Sequence, residues 1–157
     1  MPYAVSIRTV PEVATGLRSI AGSFSKELLA ADPKKAPRRP APGTWAPKEV
    51  LGHLIDSAAN NHQRFVRAQQ GPLAIAGYEQ NHWVNSQGYI DADWAHLVAL
   101  WTHLNLHIAD VIARIPSGRY STLITIGDGS PVTLEFVIVD YLGHLNHHIA
   151  QIRERLV

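Results

Sequence analysis

Apolar residues recur every three or four positions in four stretches of the chain, a spacing typical of amphipathic helices. The first predicted helix runs from about Pro11 to Ala31 and stops before Asp32-Pro33, because proline disfavours helical geometry in the preceding residue. The second begins at Pro47, which suits a first helical position, and continues to Gln70, ahead of Gly71-Pro72.

The third predicted helix spans about Asp91 to Ile115, and the fourth follows Thr133, a plausible N-cap. Residues 71–90 between the second and third helices are expected to form a long irregular connection. Residues 120–133 are expected to form a short extended excursion or hairpin. The pattern therefore predicts an all-α fold, a four-helix bundle that forms a single domain over residues 1–157.

Composition narrows the range of functions. Apolar residues make up 46% and charged residues 17%, as in an ordinary globular protein. A net charge of +1 argues against nucleic-acid binding, because such a chain has no field to hold a phosphate backbone. The absence of Cys excludes disulfides, thiolate ligands and a Cys nucleophile. With no signal-peptide core and no long apolar run, we expect a cytoplasmic protein without membrane association.

Residues 33–43 combine four prolines with a basic cluster, formed by Lys34, Lys35, Arg38 and Arg39. We interpret the segment as a stiff, solvated linker. A basic patch for an acidic partner is the alternative, although no aromatic residue interleaves with these charges.

Nine histidines are the chain's most unusual feature. His144 and His148 are four residues apart on one flank of the last predicted helix, which places their Cβ atoms about 6 Å apart and lets both rings reach one metal ion. His147 is expected to point the opposite way, towards solvent. A catalytic zinc-type site needs a third protein ligand. His53 on the second helix is one candidate, and the pair His103 and His107 on the third helix is the other.

His53 also begins a polar stripe on the second helix, which continues through Ser57, Asn60, Asn61 and Arg64. These residues are three or four positions apart and therefore share one face. Such a stripe is either solvated surface or the lining of a site, and the spacing leaves both open, as it leaves open a surface role for the histidines.

Several segments resemble the DinB/YfiT-like superfamily. They are the stretch from Gly43 to Ser57, the following Asn60 to Phe65, the segment Tyr78 to Trp83, and His144-x3-His148. The resemblance implies an up-up-down-down bundle and a divalent metal ion, zinc or nickel, on three histidines. Matched residue by residue, these ligands are His53, His144 and His148. The chain departs from the family pattern at Ala46, where Ser is frequent, and at Ala58, where some relatives carry a further His.

The resemblance also implies an activity. Some members are S-transferases that use a low-molecular-weight thiol of the bacillithiol or mycothiol kind, and we expect this function first. Others are regarded as metal-dependent hydrolases, in which the metal activates water. A stress-associated metal-binding bundle without turnover is the non-enzymatic alternative.

Four further polar residues are candidates near the predicted metal site. Arg64 could hold a substrate carboxylate and Asn61 could orient a polar group of the same molecule. Asp56 and Asp140, each one helical turn from a proposed ligand, could orient imidazoles from behind. All four could instead lie on the helix surface. We expect a small-molecule substrate and a homodimer, with no nucleic-acid or membrane partner.

Overall fold

Four long helices form the body of the protein and confirm the predicted four-helix bundle. The computed structural model describes residues 8–157. Its helices are α1 (Val10–Ala30), α2 (Pro47–Arg67), the short α3 (Gln80–Ser86), α4 (Trp94–Arg114) and α5 (Leu134–Leu156). Each long helix lies within about three residues of its predicted bounds at either end.

Side chains at the helix starts explain why the helices begin where they do. The Thr9 hydroxyl caps α1, the Asp93 carboxylate accepts from the His96 amide at 2.8 Å at the start of α4, and Thr133 caps α5 as predicted. At α2, Ala46 offers no acceptor. There, Glu49 accepts a hydrogen bond from the Ala46 amide at 2.8 Å, so one half of a capping box is present.

A three-stranded sheet joins the two long connections. Its strands are β1 (Leu73–Ile75), β2 (Leu123–Ile126) and β3 (Val132–Thr133), in the order β1-β2-β3. β2 and β3 form the predicted hairpin, whereas β1 pairs in parallel with β2. The expectation that residues 71–90 are irregular is therefore wrong. Three-residue β1 depends on a partner about fifty residues away, which local periodicity cannot reveal.

Most of the proline-rich segment 33–43 is exposed, as predicted for a stiff, solvated linker, but parts of it also pack against the protein. Ala36 is fully buried, and its carbonyl accepts from the Lys48 amide at 3.0 Å. Arg39 forms a two-pronged ion pair with the buried carboxylate of Glu49, at 2.9 and 2.5 Å. Tertiary contacts therefore hold this segment against the start of α2.

The packing of the helices brings α2 beside α5. α1 packs on α4 and α5, and α2 contacts both α4 and α5. Phe24 and Trp101 meet edge to face in the core, with ring centroids 5.6 Å apart. Between residues 8 and 157, no helix has the length and apolar character needed to cross a membrane.

Candidate metal centre

Three histidines from two helices converge where α2 meets α5. His53 Nε2 lies 3.0 Å from His144 Nε2, and the ring centroids of His53 and His148 are 4.7 Å apart. One nitrogen from each of the three rings can be chosen so that all lie within 4.8 Å of one another. His53 and His148 are buried, and His144 is half-buried. The structure therefore brings together the three residues that the sequence singled out as metal ligands.

The electrostatics of the cluster favour neutral rings. Burial lowers the pKa of His53 to about 4, and burial followed by the nearby His148 and His53 lowers the pKa of His144 to about 3. Burial also lowers the pKa of His148. At neutral pH the three rings are thus uncharged and each carries a lone pair, which is the donor set that a borderline-soft divalent metal ion prefers.

A hydrogen bond on the outer side of the His148 ring selects the nitrogen that faces the cluster. His148 Nδ1 lies 2.8 Å from Gln151 Oε1, an acceptor, so Nδ1 carries the proton and Nε2 the lone pair. His144 Nδ1 lies 3.4 Å from Ser57 Oγ. The residues fit a bound divalent ion, because one nitrogen from each of three uncharged imidazoles lies within 4.8 Å of the others.

One helical turn after His53, the buried carboxylate of Asp56 is held by a tyrosine. Asp56 Oδ1 accepts from the Tyr89 hydroxyl at 2.6 Å and from Gln87 Nε2 at 2.7 Å. Within residues 8–157, Asp56 Oδ2 and His53 Nδ1 are both buried without a hydrogen-bond partner. Burial raises the pKa of the Asp56 carboxyl. Its role in orienting His53 remains a prediction.

The close approach of Tyr89 depends on Gly52. A Cβ atom at position 52 would lie 2.1 Å from Tyr89 Cδ2, so any side chain there would displace the ring. The only signal of this contact in the sequence was a glycine inside a helix, which alone does not identify its partner. Gln87 and Gln151 gave no signal that sequence reasoning could use.

A cavity of about 180 Å³ opens beside His144. We call it the His144 cavity; its polar walls come from Ser57, Asn61, Arg64, Tyr78, Asp140 and His144. Arg64 is buried, donates to Asn61 Oδ1 at 3.3 Å, and has an Nε atom without a partner in the described part of the chain. Ser57, Asn61 and Arg64 of the polar stripe of α2 therefore line a cavity, whereas Asn60 is half-buried outside it. Asp140 lies on the cavity wall, one turn before His144.

A second cavity, of about 250 Å³, opens beside His148. This His148 cavity is lined by Gly43, Thr44, Trp45, Gln80, Asn81, His148, Gln151 and Arg155. It shares no lining residue with the His144 cavity. The Trp45 ring, 5.1 Å from the His53 ring, forms its wall next to the cluster. The histidine cluster is thus flanked by two separate cavities.

The remaining histidine candidates lie elsewhere. His103 and His107 are exposed on α4, and His107 faces His62 with ring centroids 5.2 Å apart. His147 is exposed as expected, but it does not point away from the cluster: its ring lies 5.0 Å from that of His148. Among residues 8–157, His53, His144 and His148 form the only group of three or more potential ligands close enough to share an ion.

Comparison with known proteins identifies the family. The model of the DinB superfamily matches residues 18–152, most of the chain. The chain belongs to the DinB superfamily. The match includes both helices that carry the histidine cluster, so the cluster is part of the DinB domain itself.

Curated DinB relatives carry names that refer to metal-dependent hydrolysis. "Putative metal-dependent hydrolase YfiT" of Bacillus subtilis is 27% identical over 114 residues, which cover 71% of this chain and 64% of that protein. The chain thus spans slightly less than two thirds of this relative. A Bacillus licheniformis protein, also named as a putative metal-dependent hydrolase, is 29% identical over 140 residues, covering 87% of this chain and 75% of its own.

A solved structure supports the fold. The structure of YfiT from Bacillus subtilis, described as a probable metal-dependent hydrolase with an unusual four-helix bundle topology, superposes with a TM-score of 0.85. It covers 97% of this chain and 88% of its own at 21% identity. At that identity the similarity establishes the bundle and leaves the chemistry to the residues of the site.

Proposed function

We propose that the protein is a metal-dependent S-transferase: at the histidine cluster, the sulfur of a low-molecular-weight thiol bonds to a carbon of a small electrophile as the bond from that carbon to its leaving group breaks, and the thiol proton departs with the leaving group. The observation that carries the proposal is the pair of separate cavities, one beside His144 and one beside His148. A group transfer between two substrates needs two binding places that meet at the reacting atoms. His53, His144 and His148 would hold the ion, zinc or nickel.

A divalent ion held by three neutral imidazoles retains its charge and, when bound, lowers the pKa of a water or thiol at an open position towards neutrality. The protein's own residues supply the rest. Gln151 keeps the proton of His148 on Nδ1, so the inward nitrogen of that ring stays unprotonated, and the Ser57 hydroxyl contacts His144 Nδ1 on the outer side of the second ring.

Arg64 would position the electrophile. Burial lowers the pKa of its guanidinium, which means that the charged form is poorly compensated by its present surroundings. A carboxylate in the His144 cavity would supply the missing partner, and the planar guanidinium suits a two-pronged contact. Asn61, bonded to Arg64, would fix the direction of that contact.

Hydrolysis is the second candidate, favoured by the names of the curated relatives. It requires one substrate, which would bind in the His144 cavity, and water as the nucleophile. The two candidates share the histidine cluster and differ in whether the His148 cavity receives a second substrate.

The proposal is tested by a turnover screen on metal-loaded protein. One arm offers carboxylate-bearing electrophiles with a panel of low-molecular-weight thiols, and the other offers carboxylate-bearing esters and amides alone. We expect thiol-dependent consumption of the electrophile that His144→Ala abolishes. Arg64→Gln should raise KM about tenfold or more through loss of a charge-assisted pair, whereas Arg67→Gln, which removes an exposed arginine from the same helix, should not. Thiol-independent cleavage would establish hydrolysis instead, and no turnover in either arm would contradict both.

A further inference from the structure

The basic segment that precedes α2 is part of a cavity wall. A third cavity, of about 420 Å³, is lined by Arg38, Arg39, Pro40, Thr44, Glu154 and Arg155. We call it the arginine cavity. Thr44 and Arg155 also line the His148 cavity, so the two cavities adjoin along these residues. Together they form a groove from the protein surface to His148.

The charges along this groove are mostly positive. Arg39 is neutralised by its ion pair with Glu49. Arg38 is exposed, and its side chain forms no ion pair within residues 8–157. Glu154 contributes one negative charge to the wall. The guanidinium groups of Arg38 and Arg155 therefore outnumber the free carboxylate.

Arg155 is held in place at the junction of the two cavities. Its Nη1 donates to the Trp45 carbonyl at 2.6 Å, and the residue is half-buried. A guanidinium carries five N–H donors, and this bond uses one of them. The fixed group thus retains donors for an oxyanion, in a cavity that also contains His148.

We infer that the groove from Arg38 through Arg155 to His148 binds the anionic part of the second substrate, a carboxylate or phosphate group. The inference rests on the proposed two-substrate function and specifies its nucleophilic partner as an anionic small molecule. In this arrangement the anion lies at Arg155 and Arg38, and the other end of the molecule reaches the histidine cluster past Trp45 and Thr44.

Calorimetric titration with citrate and, separately, with inorganic phosphate tests the subsite. Both the metal-loaded protein and the metal-free protein are titrated, so that direct binding to the ion is separated from binding in the groove. At least one anion should bind both forms. The stronger of the two arms indicates whether the groove prefers carboxylate or phosphate.

Substitutions locate the binding. Arg155→Gln should weaken it about tenfold or more, and Arg38→Gln, at the exposed end, about threefold, as expected for charge-assisted bonds of different burial. Arg119→Gln, an exposed arginine outside both cavities, should leave the dissociation constant unchanged. Because Arg155 also contacts Trp45, Arg155→Lys serves as the check on folding: it should retain part of the affinity while keeping the wild-type circular dichroism spectrum.

Two results would overturn the inference. Equal affinity of Arg155→Gln and wild type would show that the groove does not bind the anion. Loss of binding in Arg64→Gln with retention in Arg155→Gln would place the anion in the His144 cavity. Failure of the parent proposal is recognised separately: if the protein binds no metal and turns nothing over but still binds citrate or phosphate through Arg155, the subsite stands and the transferase function does not.

Discussion

Two histidine clusters in this protein begin from the same sequence pattern and end in different environments. Each involves a pair of histidines four residues apart on one helix and a histidine on α2 that faces at least one member of the pair. In the first cluster the pair is His144 and His148, and His53 faces it with centroids 4.7 Å from His148. In the second cluster, His107 faces His62 at 5.2 Å. The first is largely buried, and the His107 side of the second is exposed.

Burial therefore separates a candidate site from a surface pair, since spacing does not. In the first cluster, burial lowers the pKa of two rings to about 4 and about 3, and their inward nitrogens approach to 3.0 Å. Because these nitrogens are already fixed, neutral and shielded from water, binding an ion requires little free energy for ordering or deprotonating them. In the second cluster, solvent is available to each exposed ring, and no third ligand lies close enough to share an ion among the described residues.

The largest expected effect is on metal content. His148→Ala should lower the affinity for zinc by more than about a hundredfold, because losing a ligand costs more than losing an outer hydrogen-bond partner. His107→Ala, the matched change in the exposed cluster, should leave the affinity unchanged. Equilibrium dialysis against zinc measures both. Similar losses in the two variants would remove the distinction between the clusters.

The pH dependence of stability tests the burial of the first cluster. His53 has a folded pKa of about 4 against 6.5 in the unfolded chain, so between these values protons bind only the unfolded chain. The free energy of unfolding of the metal-free protein should fall as pH drops from 6.5 towards 4.

The same depressed pKa values protect the metal site from protons, so the added stability of the loaded protein should persist at pH 5.5 and vanish near pH 4. Thermal melts of the metal-loaded and metal-free protein, paired at each pH, measure this added stability. Its loss already at pH 6 would mean that the rings are solvated.

Removing the outer partner of His148 should have an intermediate effect. Gln151→Ala deletes the acceptor that keeps the proton on Nδ1, and should weaken zinc binding about 10-fold to 100-fold. Asn146→Ala, an exposed amide on the same helix, is the control. Unchanged affinity in Gln151→Ala would show that the cluster needs no help in selecting its tautomer.

The close packing of the Tyr89 ring against Gly52 gives a stability prediction. Gly52→Ala would drive a methyl group into the Tyr89 ring and should destabilise the protein by about 1–3 kcal/mol. Gly22→Ala on α1 meets no atom within 4 Å and should stabilise it by roughly 0.5–1 kcal/mol. Urea denaturation compares the two. If both alanines stabilised the protein, the Tyr89 ring would not pack against α2 as described.

The sequence predicted the helices and the pair His144 and His148 because each depends on a local repeat, whereas the choice of His53 as the third ligand came from the family resemblance. Its limits are equally physical. The spacing of His103 and His107 matches that of His144 and His148, so only the tertiary structure separates them. β1 needs a distant strand, Arg39 needs Glu49, and Gly52 needs Tyr89. None of these pairs leaves a periodic trace in the chain.

The smallest expected effect concerns the start of α2, the helix that contributes one histidine to each cluster. Ala46→Ser would add the missing acceptor for the Glu49 amide and should raise the free energy of unfolding by about 1 kcal/mol. The zinc affinity should not change. A denaturation midpoint equal to or below that of wild type would mean that the buried hydroxyl cannot reach the amide.

The most direct test of the central claim is a cobalt(II) titration of the metal-free wild-type protein, followed by its visible absorption. We expect one tight site per chain, with a spectrum of nitrogen-coordinated cobalt that disappears when zinc displaces the cobalt; His53→Ala should eliminate this site and His62→Ala should not. A titration without a tight site, or one in which His62→Ala has the same effect as His53→Ala, would contradict the claim that the buried cluster binds the metal.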